Sequence, residues 1–131
     1  MRVTIVGLTH MMRLANQVAR AEHAQGLVTG ESIGQVASQT MHALQCTDAV
    51  AEYPVYRPLI GFDKQEIIDV AEKIGTFETS SLPYEDCCTV FTPKHPNTKP
   101  RLEKIMQSES LLDVDALVKA AVDGTEEIII K

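Results

Sequence analysis

Short β-branched or apolar runs alternate with amphipathic stretches of about ten residues, and this alternation constrains the fold more than any other feature of the chain. Val3-Thr4-Ile5-Val6 predicts a first strand. Met11, Leu14, Ala15, Val18 and Ala19 follow at helical spacing, and Gly26 suits a helix stop. Leu27-Val28-Thr29 predicts a second strand. Gly30-Glu31-Ser32 then turns into a second helix with Ile33, Val36, Ala37, Met41 and Leu44 on one face. Val55 to Ile60 reads as extended, with Pro58 favouring an edge or a strand end because it has no amide to donate. Asp63 followed three residues later by Glu66 resembles a capping box. Ile67, Ile68, Ala71 and Ile74 are expected to form the buried stripe of that helix before Gly75 ends it. Strands separated by helices imply an α/β fold with a mostly parallel sheet, since parallel neighbours need a crossover. Ligands in such sheets bind beyond the carboxyl ends of the strands.

Periodicity stops between Thr76 and Pro100, where four of the chain's six prolines fall, so this stretch is expected to be a long functional loop. Leu102 to Met106 and the set Val114, Leu117, Val118 and Ala121 predict two further helices, and Gly124 precedes Glu126-Glu127-Ile128-Ile129-Ile130. The length of 131 residues suits one domain, and no run of about 18 apolar residues exists to span a bilayer. Without a secretory leader pattern in MRVTIVGLTHMMR, the cytoplasm is the simplest location. Cys46, Cys87 and Cys88 fit no disulfide framework and are expected to be reduced at rest. A net charge of −6 argues against a whole-surface grip on nucleic acid. One local basic segment, Lys94 to Lys104, remains, either as a patch or as a solvated loop.

Two places could carry chemistry. In LVTGESIGQVASQT a glycine directly after a strand lets backbone approach a ligand, and a helix start there would favour an anion or a polar nucleobase edge. Gly30 and Gly34 supply room. Ser32, Gln35, Ser38, Gln39 and His42 make an uncharged polar face, open to a ligand, another subunit or water. In YEDCCTVFTPKHP two adjacent thiols sit near Lys94 and His95, which lower a thiol pKa, and near Glu85 and Asp86, which raise it. A nucleophile or sulfur carrier and a simple packing role both fit. A closed zinc site is not expected, because the spacing lacks C-x-x-C.

TGESIGQVASQT, RPLIGFDKQEIIDVAEKIGT and LPYEDCCTVFTPKHPNTKP, in that order, closely resemble the tRNA 4-thiouridine sulfurtransferase family, also called the thiamine biosynthesis sulfurtransferase family. The resemblance covers most of residues 11 to 104. It implies a Rossmann-like PP-loop ATP pyrophosphatase fold, in which ATP, with Mg, adenylates a uridine of tRNA and persulfide sulfur then displaces AMP. The implied ATP-binding residues are Gly30 and Gln39, and the implied sulfur-transfer residue is Cys87, with Cys88 a near-equal candidate. tRNA and a cysteine desulfurase are the implied partners, and a role in supplying sulfur for the thiazole of thiamine follows from the family.

The family's S-G-G-x-D-S loop, its RNA-binding THUMP domain and the rhodanese extension of some members have no counterpart in these 131 residues. Residues 1–131 are therefore expected to be the C-terminal portion of a PP-loop domain, incomplete at the N-terminus and inactive alone. The family also carries basic residues, including an ATP-contacting arginine, where this chain reads Thr9-His10-Met11-Met12, with Arg13 beside them. Two other readings are a non-catalytic binding or dimerisation module, pairing through an exposed sheet edge as a homodimer, and a metal-binding redox domain.

Overall fold

The computed structural model describes residues 2–36, 38–84 and 99–130. Cys87, Cys88 and Lys94 lie outside them. In chain order the elements are α1 (Arg2–Ala21), β1 (Leu27–Val28), α2 (Met41–Asp48), β2 (Val55–Tyr56), α3 (Lys64–Lys73), α4 (Phe77–Ser80), α5 (Leu102–Glu109) and α6 (Val114–Asp123). β1 and β2 are parallel, Leu27 opposite Val55 and Val28 opposite Tyr56, and α2 lies in the crossover between them. The pair is extended at both ends by Leu27 N donating to Pro54 O (2.9 Å) and Thr29 N to Tyr56 O (3.0 Å). This is the expected α/β arrangement with a parallel sheet, here of two strands among the described residues.

The sequence-based strand at Val3–Val6 is not formed; that segment is the first turns of α1. The buried residues of α1 are Ile5, Thr9, Met12, Asn16 and Ala19, one every three or four positions, which is a helical stripe. Two of the five are polar, so the stripe is hard to see in the sequence, and β-branched propensity yields to tertiary packing. α1 lies against α2, α5 and α6. Ile5, Ala43, Cys46 and Ile105 form the core, with Val6, Leu8 and Leu102 packed against it.

The second correction concerns residues 31–36 and 38–40, none of which is helical, so the predicted helix from Gly30 is delayed to Met41. Thr40 is its N-cap, with its hydroxyl accepting from Ala43 N (3.2 Å). Gly34, at φ +83°, holds a left-handed conformation that few other residues adopt without strain. Ile33, Val36 and Met41 are exposed, so they do not form the predicted buried face; Leu44 does pack inward.

α3 forms where expected and with the expected ends, but the stripe predicted to be buried is not. Glu66 N donates to Asp63 Oδ1 (2.9 Å) and Asp63 N to Glu66 Oε2 (2.7 Å), a complete capping box, and Gly75 ends the helix at φ +73°. No residue of α3 is buried, so its end contacts matter more than its stripe. Thr125 to Ile130 has no regular structure, and Ile128, Ile129 and Ile130 are exposed.

Candidate functional site at the carboxyl edge of the parallel strands

Both strands run toward the same edge, and the chain leaves β1 there through Thr29-Gly30-Glu31-Ser32. Hydrogen bonds of two kinds shape the turn. Ile33 N donates to Ile60 O (3.0 Å) and Ser32 Oγ to Phe62 O (2.6 Å), tying the turn to the segment that leads into α3. Gly34 N donates to Gln39 O (3.0 Å), and Ser32 N to Gln39 Oε1 (3.3 Å), closing the turn on itself. Ser32 is buried as a result, so it is a brace of the turn and not part of a free polar face.

Of the two implied ATP-binding residues, Gln39 bonds back to Ser32 and Gly34, which closely follow the other, Gly30. A Cβ placed on Gly30 meets nothing within 4 Å among the described residues, so their packing does not demand glycine there. Gly26, at the other end of β1, is the opposite case: a Cβ there lies 2.8 Å from Tyr56 Cε2 and 3.3 Å from Pro54 O. Gln39 is half-buried, and with its oxygen on Ser32 N its amide NH₂ is the part of the side chain that can donate outward. Because α2 starts at Met41, no helix start stands at Gly30.

The sequence reading missed the charged frame of this edge. Arg57, directly after β2, donates from Nε to Glu31 Oε2 (2.7 Å) and pairs through its terminal nitrogen with Asp48, the last residue of α2. Thr29 Oγ1 donates to the same Glu31 oxygen (2.7 Å). Burial opposes the charge on Arg57, but the bonds to Asp48 and Glu31 outweigh it and hold its pKa above the ordinary value. The one available signal was an acid just past one predicted strand and a base within the other. Beside this frame lies a groove of about 530 Å³ with Ile33, Met41, Leu44 and Ile60 among its walls.

A second polar cluster sits across the molecule. Glu109, nearly fully buried, accepts from Thr9 Oγ1 (3.0 Å), Arg13 Nε (3.2 Å) and Arg13 Nη2 (2.9 Å). Burial raises the carboxyl pKa, yet the bonds from Arg13 and Thr9 and the charges of Arg13 and His10 prevail and keep it below the ordinary value. His10 Nδ1 donates to Val6 O (2.9 Å), and its Nε2 is buried without a hydrogen-bond partner among the described residues. Arg13 is thus paired with an internal carboxylate. Cys46 is buried in the core, where burial, with the charge of Glu103 adding, pushes its thiol pKa up; this is an inert packing thiol. Of the basic segment, Lys99, Arg101 and Lys104 are exposed. Among the described residues no helix is long and apolar enough to cross a membrane.

Comparison with known proteins converges on one group. The chain is 58% identical over 128 residues to the probable tRNA sulfurtransferase of Acetivibrio thermocellus, covering 98% of the chain and 33% of that protein. It is 56% identical over 131 residues to the corresponding protein of Lachnospira eligens, again covering 98% of the chain and 33% of the relative. The crystal structure of a 4-thiouridine synthetase–RNA complex with bound ATP superposes with a TM-score of 0.81 at 41% identity, over 92% of this chain and 32% of that one. The chain therefore spans about a third of the length of these relatives. Residues 1–114 match the family described as Thiamine biosynthesis protein (ThiI). With that match over most of its length and this fold, the chain belongs to the ThiI family.

Proposed function

We propose that this chain is the C-terminal portion of a PP-loop sulfurtransferase domain, and that it supplies the nucleobase side of an ATP site and the sulfur-transfer loop of an enzyme converting a tRNA uridine to 4-thiouridine. The observation that supports this reading is the turn at the carboxyl edge of the parallel strands, where Gln39 bonds back to Ser32 and Gly34 just after Gly30. The relative of known structure holds ATP and RNA, which supports both ligands here.

ATP, with Mg, supplies the adenylate that makes the uridine oxygen a leaving group. This chain contributes placement. Gly30 gives room for close approach, Gln39 offers donors to a nucleobase edge, and the internal bonds of the turn hold that placement without reorganising. Cys87 or Cys88 carries sulfur as a persulfide; the outer sulfur attacks the activated carbon and AMP leaves, and the neighbouring thiol then attacks the carrier sulfur, breaking its bond to the transferred sulfur, which departs as the 4-thiouridine thiocarbonyl, while the two cysteines close a disulfide. A cysteine desulfurase is the proposed sulfur source. The same sulfur, through the family, would serve thiazole formation, and the setting would be cytoplasmic. Phosphate binding in this fold relies on the S-G-G-x-D-S loop, which is not among these residues, so ATP affinity of the chain by itself should be weak.

Peptide mass spectrometry after incubation with a cysteine desulfurase and cysteine, without reductant, tests the reading. Added sulfur is expected on the YEDCC peptide and not on buried Cys46. Sulfur on Cys46 alone, or on no cysteine although the donor is loaded, would count against it. A second reading, a pairing module, draws on the exposure of Val28 and Tyr56 on the short strands; a monomer by light scattering at high concentration would remove it.

A further inference from the structure

We propose that Arg57 is a positioning residue that sets the glycine turn for its nucleotide by holding Glu31 and Asp48 together across the carboxyl edge of the sheet. The inference rests on the reading above in that the ligand is taken to be an adenine nucleotide. Its geometric part stands without that ligand.

Three elements meet at this guanidinium. Arg57 leaves β2 beside Thr29, which leaves β1, because Val28 and Tyr56 are in register. Glu31 belongs to the turn, and its Oε2 takes hydrogen bonds from both Arg57 Nε and Thr29 Oγ1, each at 2.7 Å. Asp48 closes α2, where an acid is unfavourable beside the negative end of the helix dipole unless a cation faces it. The side chains of Arg57 and Glu31 are only 13% and 18% exposed, so the pair is shielded from water and salt far better than a surface bridge. Asp48, at 50%, is the wetter arm.

The planar fork of arginine fits this task, because one guanidinium can direct donors at two carboxylates at once, whereas an ammonium is a single compact charge. The arrangement fixes where Glu31 points, and with it the path of Thr29 to Ser32. It also neutralises Glu31, whose free carboxylate would otherwise stand next to a turn meant for an anionic ligand. None of this requires Arg57 to touch the nucleotide.

The test compares the chain with Arg57→Lys, Glu31→Gln and the double variant by ¹H–¹⁵N NMR, first without ligand and then titrated with ATP at millimolar concentration. In the ligand-free spectra, amide shifts are expected to move at Thr29, Gly30, Glu31, Ser32 and Gly34 while those of α1 stay in place and Tm changes little. With ATP, each single variant is expected to weaken binding about tenfold, the double variant no further, since both break one contact. Turn amides that do not move in either single variant would overturn the inference, as would losses that add in the double variant. Should Arg57→Lys fold poorly, Glu31→Gln carries the same comparison from the more exposed side. If ATP fails to perturb the turn in the unaltered chain, the nucleotide reading falls, and the ligand-free spectra still decide whether Arg57 shapes the turn.

Discussion

The helical layer around Glu109 and the turn around Gly30 are both rich in polar groups, and they use them in opposite ways. In the layer the polar groups turn inward. Asn16 Nδ2 donates to Val50 O (2.8 Å) and its Oδ1 accepts from Glu52 N (3.1 Å), while Glu109 collects Thr9 and Arg13. At the turn the internal bonds brace a loop, with nothing among the described residues within 4 Å of a Cβ on Gly30 and an unspent amide on Gln39. The first arrangement specifies which helices meet. The second holds a surface ready for something else.

The comparison breaks most visibly at Glu109. Glu109→Ala leaves Arg13 without its carboxylate and Thr9 with only Val6 O as acceptor, so a loss of about 3 kcal/mol is expected from urea unfolding. The pH dependence has a definite sign. Glu109 has a lowered pKa in the folded chain, so the stability it gives is present above the ordinary glutamate value of about 4.3 and is lost as pH falls through the folded pKa. Acid unfolding of Glu109→Gln should accordingly show a shallower slope in that window than the parent.

The two glycines flanking β1 sharpen the contrast. Gly26→Ala puts a Cβ against the Tyr56 ring and Pro54 O and should cost about 1.5 kcal/mol, read as a shifted urea midpoint. Gly30→Ala meets nothing within 4 Å among the described residues, so stability should stay within about 0.5 kcal/mol, and any loss of ATP-induced NMR shift would then report ligand approach alone. An equal loss of stability at both positions would end the distinction between packing glycine and site glycine.

Much of this was legible from local pattern. The capping box at Asp63, the stop at Gly75 and the two parallel strands follow from residue chemistry within a few positions. Where the sequence misled, the deciding interaction was distant. Thr9 and Asn16 look like breaks in an apolar stripe until their partners, Glu109 and Val50, are in view. The stretch 31–40 looks helical because Ile33 and Val36 keep the right spacing, yet Ser32 bonds to Phe62, 30 residues on, and Thr40 caps a later start. Gly30 and Gln39 were found through motif resemblance, and the Arg57 frame, which joins residues 26 apart, was not found at all.

The distance between the ends of the helical layer also has a temporal side. Thr9 and Glu109 are 100 residues apart. At a synthesis rate of about 5–20 residues per second, α1 must wait roughly 5–20 s for the carboxylate that completes its buried face. Throughout that interval Ile5 and Met12 have no α5 to cover them, which makes the nascent α1 a natural client for chaperones long before any question of sulfur or nucleotide arises.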